Sequence, residues 1–255
     1  MFVSVPTLLG RAVRGHTAIL FCTVSTTDIA ESAVLAAAGH SLVLVLDATC
    51  WKGGLAEQGY LAWLHWLAEH APTQVGIAVE CEVTSPDIGD LLTVFPGVSL
   101  ILRTHGSLQL TAASLQVLHR HYRTVPLLAD LTAPATPDQV REFVRQTGVS
   151  ALRIPLPHDH SGVLGSSPAY VRQLVRAAQV PLITAEATYK PSILQRCLKA
   201  GISGVMLSEA LNEAYTAGIR TGLRNRSSTN PHRYTAPAKQ AVHDRVSTFL
   251  KHLPI

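Results

Sequence analysis

Residues 17–48 read TAILFCTVSTTDIAESAVLAAAGHSLVLVLDA. The two ends, Thr17–Ser25 and Ser41–Ala48, are nearly continuous apolar runs of strand length. Between them Asp28 is placed to cap a helix, IAESAVLAAAG, that stops at Gly39. A strand that is apolar throughout, rather than at alternate positions, is buried on both faces, as in a parallel sheet covered by helices. The stretch is therefore a β-α-β unit, and its repetition decides the fold.

The same alternation recurs along the chain. Further apolar runs lie at Gln74–Val83, Val98–Gly106, Thr124–Thr132, Ala151–His160, Pro181–Ala187 and Gly204–Glu209, making eight in all. Thr136-Pro137-Asp138 opens a helix that Gly148 closes, Ser166-Ser167-Pro168 opens another, and Pro191-Ser192 begins one that stops at Gly201. Eight such units predict an α/β protein with a single (β/α)8 TIM barrel over residues 1–255. The opening VSVPTLLGRAVRG reads as an extra helix closing the barrel bottom, and the tail from about 225 to 255 as a polar hinge and a final helix.

Composition bounds the function. Of 255 residues, 47% are hydrophobic, 15% charged and 5% aromatic, with a net charge of +4. That is material for a large aliphatic core, and it argues against disorder and against an aromatic nucleic-acid platform. No apolar run approaches the roughly 18 residues of a membrane span, and the first residues lack a secretory pattern, so no membrane association and a cytoplasmic location are expected. Cys22, Cys50, Cys81 and Cys197 form no CxxC pair and read as reduced thiols. A surface poor in charge favours self-association. No nicotinamide fingerprint or Walker loop is present.

In a TIM barrel the site lies at the C-terminal ends of the strands. Here those ends carry Cys22 and Ser25, then Asp47 and Thr49, Glu80 to Glu82, Arg103 to His105, Asp130, His158 to His160, Glu186 and Lys190, and Ser208 and Glu209. For any one of them the ordinary reading, a strand leaving the core, carries even weight. His158 and His160 alternate on an extended segment, so both imidazoles could meet one ion. The cluster His119, Arg120, His121 and Arg123 reads as a solvated face at the barrel bottom, and Trp63 with Trp66 as a core or oligomer face.

The segments PLITAEA, CLKAGISGVMLSEALNEAYTAGIR and NPHRYTAPAKQAVHDRVSTFL, together with the first β-α-β unit, resemble the class II, zinc-dependent fructose- or tagatose-bisphosphate aldolases. The resemblance spans nearly the whole chain but is dilute. It implies a homodimer or larger, in which the tail helix packs against other subunits, and a small-molecule carbonyl or sugar substrate. Matched to the family's pattern, Glu80 stands for the acid/base carboxylate of the third strand and Cys81 for its zinc-binding His. Asp130 stands for the acidic residue ending the fifth strand, and His158 for a second zinc His. Arg103 replaces an acidic residue of the fourth strand. The third zinc His falls at Ala185, whose neighbour Glu186 points to the opposite face of a regular strand. The family's phosphate-binding loops appear as EATY and MLSE, where Glu186 and Glu209 would repel a phosphate.

Three readings follow. In the first, Cys81, His158 and a carboxylate, Glu186 or Glu80, hold zinc or another divalent metal for a carbon–carbon lyase, with Glu80 or Asp130 as base. In the second, Arg103, His105, His158, Glu80 and Lys190 form a metal-free site for an anionic substrate. In the third, the barrel is a non-catalytic or repurposed aldolase fold. On the first reading, Cys81→Ala and His158→Ala each abolish metal binding. Arg103 could instead be a structural charge inside the barrel, satisfied by Glu80 or Asp130.

Overall fold

A computed structural model describes residues 1–48, 55–82, 95–103, 107–155, 167–184, 191–224 and 230–253. Eight parallel strands close into a barrel in sequential order: β1 (Ile19–Thr23), β2 (Leu42–Asp47), β3 (Val75–Glu82), β4 (Ser99–Arg103), β5 (Leu127–Asp130), β6 (Ala151–Ile154), β7 (Leu182–Thr184) and β8 (Gly204–Leu207). Around them run α1 (Val5–Gly15), α2 (Thr27–Ala36), α3 (Leu55–His70), α4 (Leu108–His121), α5 (Pro137–Thr147), α6 (Pro168–Ala178), α7 (Pro191–Lys199), α8 (Glu209–Leu223) and α9 (Pro231–Leu250). This is the (β/α)8 barrel with a C-terminal helix that the sequence predicts. Cys50, Thr49, His105, His158, His160, Glu186 and Lys190 lie outside the described residues.

The continuous apolar strands divide their side chains between two cores. The residues facing outward, such as Leu20, Leu44, Ile77, Leu100 and Leu152, pack with the helices. The alternate residues Phe21, Val43, Val45, Ala78, Ile101, Leu128, Ala151, Ile183 and Met206 fill the barrel interior. Val5, Leu8, Leu9 and Ala12 of α1 join this inner core, so α1 closes the barrel bottom as expected. At the start of the chain, Val3 donates a backbone hydrogen bond to Val75 at 3.0 Å, which seats α1 against β3.

Helix ends follow local chemistry. Thr136 and Gln139 form a reciprocal capping box on α5, with Pro137 in the first turn and Gly148 left-handed at its end. Ser167 caps α6 by accepting the Tyr170 N–H at 3.2 Å. The cap of α2 is Thr26, not Asp28: its hydroxyl accepts the Ile29 N–H at 3.2 Å. Asp28 sits in the first turn and reaches elsewhere. It accepts from the Tyr215 hydroxyl at 2.9 Å and lies 3.5 Å from Lys239 Nζ, which also pairs with Glu31 at 2.5 Å. One aspartate therefore ties α2 to both α8 and α9.

The tail helix α9 packs on α8 and α2, with Ala238, Val242, Val246 and Leu250 buried. The crossing with α8 is close. A Cβ on Gly218 would stand 2.3 Å from the Ala238 Cα, and one on Gly222 2.5 Å from the Tyr234 Cα. Among the described residues no helix is long and apolar enough to cross a membrane.

Candidate active site at the barrel mouth

Strand pairing decides which polar groups meet. Asp47 is opposite Glu80, Glu82 opposite Arg103, Arg103 opposite Asp130, and Asp130 opposite Arg153. Directly opposed residues of a parallel pair share a face. Asp47, Glu80, Arg103, Asp130 and Arg153 therefore all point inward, from five consecutive strands, at the C-terminal end of the barrel.

These five form one chain of ion pairs. Arg103 Nε donates to Glu80 Oε1 at 2.6 Å, and its Nη2 lies 3.7 Å from Asp47. Arg153 grips Glu80 with both ends of its fork, Nη1 to Oε2 at 2.9 Å and Nη2 to Oε1 at 2.5 Å. The same Nη2 donates to Asp130 Oδ2, and Nη1 contacts the Met206 sulfur of β8 at 2.7 Å. Two-pronged guanidinium–carboxylate pairing fixes both position and plane.

Burial grades along this chain. Glu80 is 2% exposed, Arg153 6% and Asp130 6%, while the side chains of Arg103 and Asp47 are 34% and 41% exposed. The inner three residues are sealed and the outer two meet solvent. Burial opposes the charge on Arg153, but its hydrogen bonds to Asp130 and Glu80 and their negative charges outweigh that, and its pKa is raised. Among the described residues, the Arg153 Nε and the Thr23 hydroxyl on β1 are buried and find no hydrogen-bond partner. Such groups mark where water or a ligand atom belongs.

The structure thus brings Glu80, Arg103 and Asp130 together, and adds Arg153 and Asp47. Arg153 escaped the sequence reading because it lies inside the apolar run ALRIPL and not at its polar end. A lone Arg at an inward position of a strand was the available signal. Cys81 is placed elsewhere. One residue beyond Glu80, it turns to the outer face and is 1% exposed in the core between sheet and helices. Burial, with the Glu80 charge second, pushes its thiol up to about 12. His158 and Glu186, the other expected metal ligands, lie outside the described residues.

The described donors do not fit a divalent cation. Both oxygens of Glu80 accept from guanidinium groups, Asp130 accepts from Arg153, and a metal ion beside them would face two fixed positive charges. Among the described residues, no three His, Cys, Asp or Glu side chains are grouped to hold a metal.

No family model matches the sequence. Solved structures do match the fold. The YdjI aldolase from Escherichia coli K12 superimposes with a TM-score of 0.85 at 18% identity, covering 99% of this chain and 97% of that one. The chain has the fold of an aldolase. The fructose-bisphosphate aldolase from Campylobacter jejuni gives a TM-score of 0.78 at 12% identity over 98% of this chain and 95% of that one. The similarity of this barrel to both covers nearly the whole chain.

Proposed function

We propose that this chain is an aldolase-like carbon–carbon lyase that takes a small carbonyl compound bearing one carboxylate and works without zinc. The observation that carries the reading is Arg153 lodged between Glu80 and Asp130, so that both carboxylates already have a fixed positive partner. In aldol cleavage a base removes the proton of the β-hydroxyl, the adjacent carbon–carbon bond breaks, and its electrons pass to the carbonyl as an enolate. That charge needs a fixed positive partner. Arg103 is suited to this role, because it is held by Glu80 at 2.6 Å yet remains about one-third exposed to the mouth. Asp47, on the solvent side of Arg103, is the carboxylate best placed to accept the hydroxyl proton. Glu80, Arg153 and Asp130 act through Arg103, as positioning residues.

Two measurements test this. Elemental analysis of untagged protein purified without chelators should find well under one zinc, cobalt or manganese ion per chain, also after incubation with zinc. Near one zinc per chain, lost in Cys81→Ala or His158→Ala, would restore the zinc-dependent reading. A screen of small 4-hydroxy-2-oxo acids should then detect chelator-resistant cleavage, reduced about a hundredfold or more in Arg103→Ala.

A second reading is a non-catalytic barrel that binds a carboxylate at the mouth. It is favoured by the saturation of both Glu80 oxygens. Binding of these acids that depends on Arg103, with no turnover, would select it.

A further inference from the structure

At the opposite end of the barrel lies a cavity of about 570 Å³, which the mouth chemistry does not use. It opens where Thr17 leads into β1 and Ser203 into β8, beneath the end of α1 and beside the residues that follow α9. Its walls are largely apolar: Val13 from α1, Val175 from α6, Leu198 from α7, then Ile202 and Leu253. Gly201, at φ +109°, lets the chain turn beneath Val175, whose Cγ1 would stand 3.0 Å from a Cβ at that position.

The titratable side chains of the cavity are all basic, beside the neutral Thr17, Gln195 and Ser203. His16, Lys199, Lys251 and His252 line it, and no carboxylate does among the described residues. Lys199 and Lys251 make no ion pair among the described residues, unlike Lys239, which is paired twice on the far side of α9. These two exposed ammonium groups beside an apolar hollow have no carboxylate partner among the described residues. The volume lies within the range of small-molecule pockets.

We infer that this cavity is a binding site for an amphipathic monoanion, a carboxylate on an unbranched aliphatic body. The hydrocarbon lies against Val13, Val175, Leu198 and Ile202, and the carboxylate meets Lys199 and Lys251. The site is separate from the mouth and independent of any reaction there.

Titration calorimetry on the full chain tests it with octanoate and decanoate. Decanoate should bind about tenfold more tightly than octanoate, since two more methylenes leave water. The double variant Lys199→Glu/Lys251→Glu should weaken decanoate about tenfold or more, because two attractive charges become repulsive. Val13→Trp should block the cavity and abolish binding. Val13 is 46% exposed, so the larger ring reaches the cavity from the surface without entering the core, and an unchanged melting temperature checks this. Affinity independent of chain length would overturn the site, as would full binding in the double lysine variant. Loss of binding in Arg103→Ala, with both lysines intact, would place the anion at the mouth and overturn it equally.

Discussion

Arg153 is the residue on which the barrel mouth turns. It neutralises two carboxylates that its own strand does not carry, and the three are sealed from water together. Removing one member of such a set leaves charge buried without a partner. We expect Arg153→Met to lose about 3–5 kcal/mol of stability by denaturant titration, far more than the exposed Arg141→Ala. Cys81, one position beyond Glu80, gives the opposite kind of prediction. With its folded pKa near 12 against 9.0 for a free thiol, Cys81 should resist thiol reagents in the native protein at pH 8 and react only on unfolding. The sign follows from proton counting. Above pH 9 the unfolded chain gives up this proton and the folded chain keeps it, so stability falls as pH rises from 9 towards 12. Cys81→Ala should flatten that alkaline loss. Most of this site was legible from strand ends, since Glu80, Arg103, Asp130 and Asp47 all stand where polar residues close apolar runs. Arg153 was not, because pairing partners on neighbouring strands are set by register, which a single strand does not reveal.

Helices were legible by their caps, and the exception at α2 is instructive. Asp28 is a good capping residue by type, but Thr26 has the extended backbone a cap needs, and the aspartate is used to bind Tyr215 and Lys239. That use depends on residues 187 positions or more away, beyond the reach of any local pattern. The α8–α9 crossing shows the same limit. Gly218 inside a helix is locally unfavourable by about 1 kcal/mol against alanine. Its reason is the Ala238 backbone, which a Cβ would meet at 2.3 Å. Gly218→Ala should therefore destabilise the protein by about 1–3 kcal/mol in denaturant titration, despite the gain in helix propensity. Thr136→Ala, which breaks the capping box of α5, should cost about 1 kcal/mol by the same measurement.

At the scale of the molecule, the barrel follows from periodicity and the mouth follows from register. Low identity to aldolases of the same fold is consistent with this, because many aliphatic side chains can fill the same two cores while the inward positions at the strand ends are rewritten. The last helix belongs to the barrel. It covers α8 and α2 and is bound to α2 by Lys239. A chain ending before Asn230 should expose that face and be recovered as aggregate, whereas Lys239→Ala should remain soluble, as gel filtration would show. The plug formed by Val5, Leu8 and Leu9 has a further result. With its interior filled and its floor stopped, the barrel has no passage through it among the described residues. Whatever enters past Arg103 must leave past it. If a bound molecule is split there, the fragment nearer the opening departs first and the deeper one waits behind it. In product-inhibition kinetics the two fragments would then behave differently, and the one released last would compete with the incoming substrate.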